Sequence, residues 1–162
     1  VLNSTISKKM ELYVIATCNS LMRDDGVLYI SSRSLKRIMQ MASTNEKSKT
    51  ATDESKRVFE LDENGMYLSY RKGHYTSQKY HDETRLKETL LEFFEEVEQR
   101  KARDTSASGL FFECRKPRKL NNEYLKEVLS EEFNMEYPNN YRHNQHEGLV
   151  EALLEENKKR QD

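Results

Sequence analysis

The sequence is poor in the residue types on which most small catalytic and redox sites depend. It holds 5 glycines, each isolated from the others, which excludes a glycine-rich loop for a nucleotide phosphate. Its 2 cysteines, Cys18 and Cys114, are too few for a disulfide framework. Because both lie in apolar stretches, we expect buried thiols in a reducing compartment.

Long apolar runs are also absent. No run approaches the roughly 20 residues that cross a membrane, and no signal sequence is recognisable. We therefore expect an intracellular domain, in the cytoplasm or the nucleus, without membrane contact. Hydrophobic residues make up 35% and charged residues 34% of the chain. This balance predicts a thin core in one domain, or in one domain with an appended helical piece.

Histidine is scarce, and its spacing does not favour a metal centre. His143 and His146 precede Glu147 at a spacing that could hold zinc, but zinc needs three or four fixed ligands and no cysteine lies nearby. His74 and His81 lie in a polar stretch. We interpret the histidines as solvent-facing or capping side chains, and we predict no metal and no cofactor.

Nucleophilic catalysis has one weak candidate. Cys114 precedes Arg115 and Lys116, whose charges would lower a thiol pKa, but nothing else in the sequence marks it as a nucleophile. The acidic residues recur at solvent-facing helical spacing, so no acid–base pair of carboxylates stands out. The sequence predicts that the protein is not an enzyme.

Charge is divided unevenly between the two halves. Residues 1–80 carry 13 Lys and Arg against 9 Asp and Glu, a net +4, whereas residues 81–162 carry 14 against 19, a net −5. A basic front half predicts contact with nucleic acid or another acidic surface. The alternative is that each half solvates its helices with charges of either sign.

The front half opens on a predicted helix that begins at about Lys8 and ends at Asp24-Asp25-Gly26. Ser7 is one of several possible caps for its start, and Gly26 suits a left-handed end. A short strand is predicted at 27–30. The apolar positions of the helix recur at three and four residues: Met10, Tyr13, Val14, Cys18 and Leu21.

A short basic helix is predicted next, capped by Ser31 or Ser32 and anchored by Leu35, Ile38 and Met39. Residues 43–57 are polar and lack large apolar anchors, so a loop and a weakly formed helix both stay open for them.

Asn64-Gly65 between extended runs predicts a β-hairpin over 58–71, which Gly73 closes. The order helix, strand, helix, hairpin resembles the beginning of a winged-helix domain. We therefore predict an α+β fold, mainly α with a small antiparallel sheet, in which residues 1–73 form a winged-helix-like domain.

The rear half, residues 74–162, is predicted to be a helical region that packs on the front or on a partner. We expect a linker at 74–81 and a long helix at 82–103, whose last turn is basic. A loop at 105–109, a strand at 110–114 and a basic knot at 115–119 follow. Asn121 or Asn122 caps a helix that ends before Pro138, and a last helix begins at about Gln145.

Nucleic-acid binding is the leading functional hypothesis. Lys and Arg neutralise phosphates while Ser and Thr donate hydrogen bonds to them, and the front half interleaves both kinds of residue. The acidic hairpin tip, Asp62 and Glu63, argues that the tip points away from the nucleic acid. The predicted contact residues are the following: Arg33, Ser34, Lys36, Arg37, Lys49, Thr50, Lys56 and Arg57.

The hypothesis is a regulatory or replication-associated domain, with DNA as its first expected partner. The alternative is a protein–protein interaction module of a larger assembly that does not bind nucleic acid. The rear helices could also form a homodimer through their apolar stripes.

Overall fold

The protein has an α+β fold. The computed structural model describes residues 2, 5, 7–36, 39–40, 58–60, 66–71, 74–101, 109–134, 136, 138–141 and 147–160. Its helices are α1 (Lys8–Leu21), α2 (Glu83–Leu91), α3 (Asn122–Phe133) and α4 (Glu147–Lys159). Its strands are β1 (Val27–Arg33), β2 (Val58–Glu60), β3 (Met66–Arg71), β4 (His74–Lys79), β5 (Phe94–Gln99) and β6 (Gly109–Pro117). Within these ranges no helix has the length and apolar character needed to cross a membrane.

The strands form two antiparallel sheets of three strands each within the described ranges. The first sheet has the order β1-β6-β5, and the second has the order β2-β3-β4. In the first sheet Ile30 lies opposite Phe112, which places Leu28, Ile30 and Ser32 on one face and Tyr29, Ser31 and Arg33 on the other. Each sheet contains strands from both predicted parts of the chain, residues 1–73 and 74–162. The division of the chain at residue 73 stays a prediction.

The core lies between the inner face of the first sheet and the helices. Ile15 of α1, Leu90 of α2 and Phe112 of β6 are fully buried there. Helix α1 packs against α3 and α4. A second apolar cluster between α3 and α4 contains Leu125 and Val150. The low hydrophobic content of the chain is thus enough to form a core between one layer of helices and a small sheet.

Helix α1 begins at the predicted residue, but it ends before Asp24 and its buried face is different. The Ser7 hydroxyl accepts the Met10 N–H at its start. Its end is at Met22 in extended backbone, so the prediction of a left-handed end at Gly26 is wrong. Met10 and Leu21 are exposed, whereas Glu11 and Asn19 are buried. The predicted stripe is rotated because these polar side chains find partners inside.

Strand β1 is longer than predicted and continues to Arg33. Ser31 and Ser32 are strand residues, so neither caps a helix, and that prediction is wrong. Residues 35–36 and 39–40 are helical, as predicted for this segment. Ile38 lies outside the described residues.

The predicted hairpin strands are confirmed as β2 and β3, which pair with Phe59 opposite Leu68. The turn residues 61–65, Gly73 and the polar stretch 43–57 lie outside the described residues. The prediction of a linker at 74–81 is wrong, because β4 occupies most of it and pairs with β3.

The prediction of one long helix at 82–103 is wrong. Asp82 caps α2, which ends at Leu91, and β5 follows after a turn. The central strand β6 needs backbone partners on both sides, and β5 provides the second set. The Arg100 side chain contacts Glu98 and Glu113 rather than a helix end.

The remaining rear elements agree closely with their predictions. Strand β6 includes the predicted 110–114 and runs on to Pro117, so the basic knot at 115–119 is partly strand. The Asn121 side chain caps α3. Positive φ values at Asn139 and Asn140 mark the break after Pro138, and α4 begins at Glu147.

Candidate nucleic-acid interface

The end of β1 carries the three predicted contact residues that the structure describes. Arg33 is the last residue of β1, and its side chain is exposed. Ser34 follows and is half-buried, and Lys36 is exposed on the helical segment. We call Arg33, Ser34 and Lys36 the cationic end of β1. The other predicted contacts lie outside the described residues: Arg37, Lys49, Thr50, Lys56 and Arg57.

Backbone hydrogen bonds join the cationic end of β1 to His81, which follows Tyr80 after the end of β4. The His81 N–H donates to the Arg33 carbonyl at 2.8 Å, and the Leu35 N–H donates to the His81 carbonyl at 2.8 Å. Ser34 forms a parallel bridge with His81. The chain therefore leaves the sheet along a fixed path, which a recognition surface requires.

A neutral side chain orients the Arg33 guanidinium. Arg33 Nη1 donates to Gln78 Oε1 at 2.6 Å, and the Tyr80 hydroxyl donates to the same oxygen at 3.2 Å. Because Gln78 carries no charge, it positions Arg33 without cancelling the positive charge. A guanidinium held in this way can still offer its remaining N–H groups to a phosphate.

Many exposed cations elsewhere are compensated by carboxylates. Lys158 and Lys159 pair with glutamates one turn earlier on α4, and Arg100 and Arg115 both contact Glu113. Within the ranges that the structure describes, Arg33 and Lys36 form no such pair. Their positive charge is therefore available to a partner.

A buried ion network lies beneath the cationic end. The Glu11 carboxylate of α1 is 1% exposed and accepts Lys8 Nζ on Oε1 at 2.8 Å. Its Oε2 lies 2.6 Å from Lys79 Nζ and 2.7 Å from His81 Nε2. The contact with Lys79 is an ion pair without a directed hydrogen bond to any described residue. The network ties β4 to α1.

Glu11 stays ionised in this setting. Burial acts to raise the pKa of its carboxyl, but the contacts with His81, Lys79 and Lys8 outweigh burial and hold the pKa well below its usual range. A buried carboxylate of this kind is stable only while its cationic partners are present.

Ser32 extends the network. The resulting series of side chains resembles the arrangement in some catalytic sites. The Ser32 hydroxyl contacts His81 Nδ1, and His81 Nε2 contacts Glu11. This is the order of nucleophile, base and orienting carboxylate in hydrolases. However, Ser32 is 5% and His81 is 6% exposed. Burial shields the hydroxyl from solvent, and the prediction that His81 is a solvent-facing or capping side chain is wrong.

The two cysteines are unsuited to nucleophilic chemistry. Burial raises the pKa of the Cys114 thiol to about 12, with further contributions from Cys18 and Glu113. Burial also raises the pKa of Cys18. Arg115 does not activate its neighbour, because the two side chains of adjacent strand residues point to opposite faces.

A surface cleft of about 500 Å³ lies apart from the cationic end, between the end of α1 and α4. Asp24, Leu153 and Arg160 are among its lining residues, which carry charges of both signs. None of the predicted contact residues lines it. Within the described ranges, no group of three His, Cys, Asp or Glu side chains could hold a metal ion.

The sequence patterns did not identify several side chains that make buried polar contacts in the structure. Glu11 and Asn19 each lie about one helical turn from buried Ile15, one on either side, a spacing that could have suggested a polar buried face. Nothing in the sequence pairs His81 with Ser32, since these contacts join distant segments.

Comparison with known proteins gives no family or relative for this chain. No protein-family model matches it, and neither the curated proteins nor the solved structures contain a significant match.

Proposed function

We propose that the protein is a nucleic-acid-binding regulatory or replication-associated domain that contacts phosphates through the cationic end of β1. The observation that carries the proposal is the pair of exposed cations, Arg33 and Lys36, which no described carboxylate compensates. Phosphate contacts supply most non-specific affinity for nucleic acids. Arg37, Lys49, Thr50, Lys56 and Arg57 stay predicted contact residues that lie outside the described part of the chain.

The finer proposal is that residues 1–73 act as a winged-helix-like unit. The order of α1, β1, the helical segment at 35–40 and the hairpin of β2 and β3 supports it. The strand pairing is distinctive, because β1 joins β6 and the hairpin joins β4. A wing of this kind would be braced by β4 and the ion network at Glu11.

The proposal is tested by removing the two cations together. We expect Arg33→Ala with Lys36→Ala to weaken binding to a 20-base DNA duplex or single strand by about 10- to 100-fold at low salt, because two charge-assisted contacts are lost. Fluorescence anisotropy with labelled DNA measures the affinity.

The matched control removes two cations from the other end of the chain. Lys158→Ala with Lys159→Ala changes the net charge equally, but both lysines are paired with glutamates on α4. We expect this control to bind like the wild type. Equal losses in the two double variants would mean that net charge alone governs binding, and the proposed site would be wrong.

A protein-docking role is the second candidate, and the charge compensation of the rear half favours it. Leu149 of α4 is 43% exposed, and Lys158 and Lys159 of the same helix are paired with glutamates. Such a surface suits a protein partner or a homodimer better than a phosphate backbone. Light scattering that gives twice the mass of one chain would support self-association, and Leu149→Glu should then restore the monomer.

A further inference from the structure

The outer face of the first sheet carries an aromatic surface next to the cationic end of β1. Tyr29 and Arg33 of β1 and Phe111 of β6 all face away from the core. We call Tyr29, Ser31, Arg33 and Phe111 the platform face. Tyr29 is 70% exposed, which is unusual for a ring in a strand. The backbones of Tyr29 and Arg33 are about 13 Å apart along β1, at roughly 3.3 Å per residue.

The Phe111 ring leans over Gly109, its neighbour on the same face, because Gly109 has no side chain. A Cβ atom on Gly109 would lie 2.5 Å from Phe111 Cε2 and 2.8 Å from Cζ. Gly109 therefore leaves the space that the ring fills, and the ring shields the bare backbone of the strand.

Register places the two rings as diagonal neighbours. Phe111 lies opposite Ser31, and Tyr29 lies opposite Glu113. The backbones of diagonal partners on adjacent strands are roughly 7–8 Å apart. The Phe111 ring leans toward Gly109 and away from Tyr29, so the two rings stand apart and can each take one base of a flexible strand. Ser31 between Tyr29 and Arg33 is small and exposed, which leaves the path along β1 open.

The charges of the face fit a polyanion along β1 rather than along β5. Glu113 is held between Arg100 at 3.0 Å and Arg115 at 2.7 Å, so its negative charge is compensated. Those two arginines lower the pKa of Glu113, which keeps it paired with them. Arg33 and Lys36 remain uncompensated by described residues at the end of β1.

We propose that the platform face binds single-stranded nucleic acid, with bases stacked on Tyr29 and Phe111 and phosphates held by the cationic end of β1. This inference rests on the proposed function and names its substrate class. Stacking on aromatic rings is tolerant of sequence, because every base has a π-face. Paired bases of a duplex are stacked on each other and cannot reach a ring on a sheet.

The test compares single strands with a duplex. Labelled dT12, U12 and a 12-base-pair duplex are titrated with the full chain at 50 mM salt. We expect the duplex to bind more weakly than dT12. Binding of dT12 and U12 distinguishes a DNA ligand from an RNA ligand. Because the chain has no tryptophan and 9 tyrosines, stacking on Tyr29 should quench part of the intrinsic tyrosine fluorescence.

The ring variants separate stacking from charge. We expect Tyr29→Ala to weaken single-strand binding by about 5- to 100-fold, and Tyr29→Phe to keep it. Phe111→Leu preserves bulk over Gly109 and should weaken binding with little loss of fold, which circular dichroism checks. Tyr141→Ala removes a ring that is 56% exposed outside this sheet and should change nothing.

The outcomes distinguish the two proposals. Unchanged single-strand binding in Tyr29→Ala, or tighter binding of the duplex, would overturn the platform face while leaving phosphate contact at Arg33 and Lys36 intact. Absence of binding to all three nucleic acids would remove both proposals.

Discussion

At the scale of single residues, Glu11 is the side chain on which the front of the molecule depends. It is buried in α1 and collects three cationic or hydrogen-bonding partners from α1 and from the segment around β4. Taking an ion pair out of water is costly, and breaking one partner away usually costs more than the pair itself contributes. The residue is therefore a structural anchor rather than a catalytic acid.

Replacing Glu11 by glutamine should destabilise the fold by about 3 kcal/mol at neutral pH, because Lys79 loses its counter-charge inside the protein. Urea unfolding measures the change. Glu155→Gln is the matched control, since its side chain is 64% exposed and the change should stay within about 0.5 kcal/mol. Equal stability of Glu11→Gln and the wild type would contradict this view of the network.

The contribution of Glu11 to the stability of the fold should change with pH in a definite direction. The folded pKa of Glu11 lies below its ordinary value of 4.5, so its contribution is fully present above that value and declines as the pH falls below it. We expect the stability difference between wild type and Glu11→Gln to shrink between pH 6 and pH 3. A constant difference over that range would show that ionisation of Glu11 is not what stabilises the fold.

At the scale of secondary structure elements, Arg160 joins the last helix to the first. Its guanidinium is buried and donates to Asn19 Oδ1 at 2.8 Å, to the Asn19 carbonyl at 3.0 Å and to the Met22 carbonyl at 2.7 Å. These carbonyls belong to the end of α1, where backbone acceptors lack helical partners. The positive charge also suits that end of the helix dipole.

Arg160→Ala should lower the free energy of unfolding by about 2–4 kcal/mol, because Asn19 Oδ1 and the Met22 carbonyl lose a charged donor and the Asn19 carbonyl keeps only the Met22 N–H. Arg160→Lys should recover little, since an ammonium group cannot span three acceptors in a plane. Lys159→Ala, at a side chain that is 68% exposed, serves as the control in chemical denaturation. A loss below about 1 kcal/mol in Arg160→Ala would mean that α4 is held by its apolar contacts alone.

Element prediction from the sequence succeeded where local signals act alone. Helices α1 and α3, the hairpin strands and the core of β6 follow from caps, turns and periodicity. It failed at β5, where buried Phe94 and Val97 stand three apart and continue the helical spacing of Leu86 and Leu90. Only the requirement of β6 for a second partner strand reveals β5, and that is a long-range effect.

The candidate site, like the elements, was predictable only in part. Arg33, Ser34 and Lys36 were identified from composition and order along the chain. Gln78, which orients Arg33, and Tyr29, which shares its face, depend on strand register and pairing. No local pattern encodes those contacts, because their partners lie far apart in sequence.

At the scale of the whole molecule, net charge is a poor guide to binding. The chain carries a formal net charge of −1, yet the ion pairs on α4 and across β5 and β6 cancel much of the rear charge locally. A polyanion responds to the local field rather than to the total charge. The cationic end of β1 is one place in the described molecule where that field should be positive.

The dependence of nucleic-acid affinity on salt tests this claim most directly. For a single strand, each phosphate contact contributes about 0.7 to the slope of log affinity against log salt. The account predicts that Arg33→Ala with Lys36→Ala reduces the magnitude of the wild-type slope by about 1.4. An unchanged slope, or no binding by the wild type at 20 mM salt (roughly the lowest practical ionic strength), would contradict it.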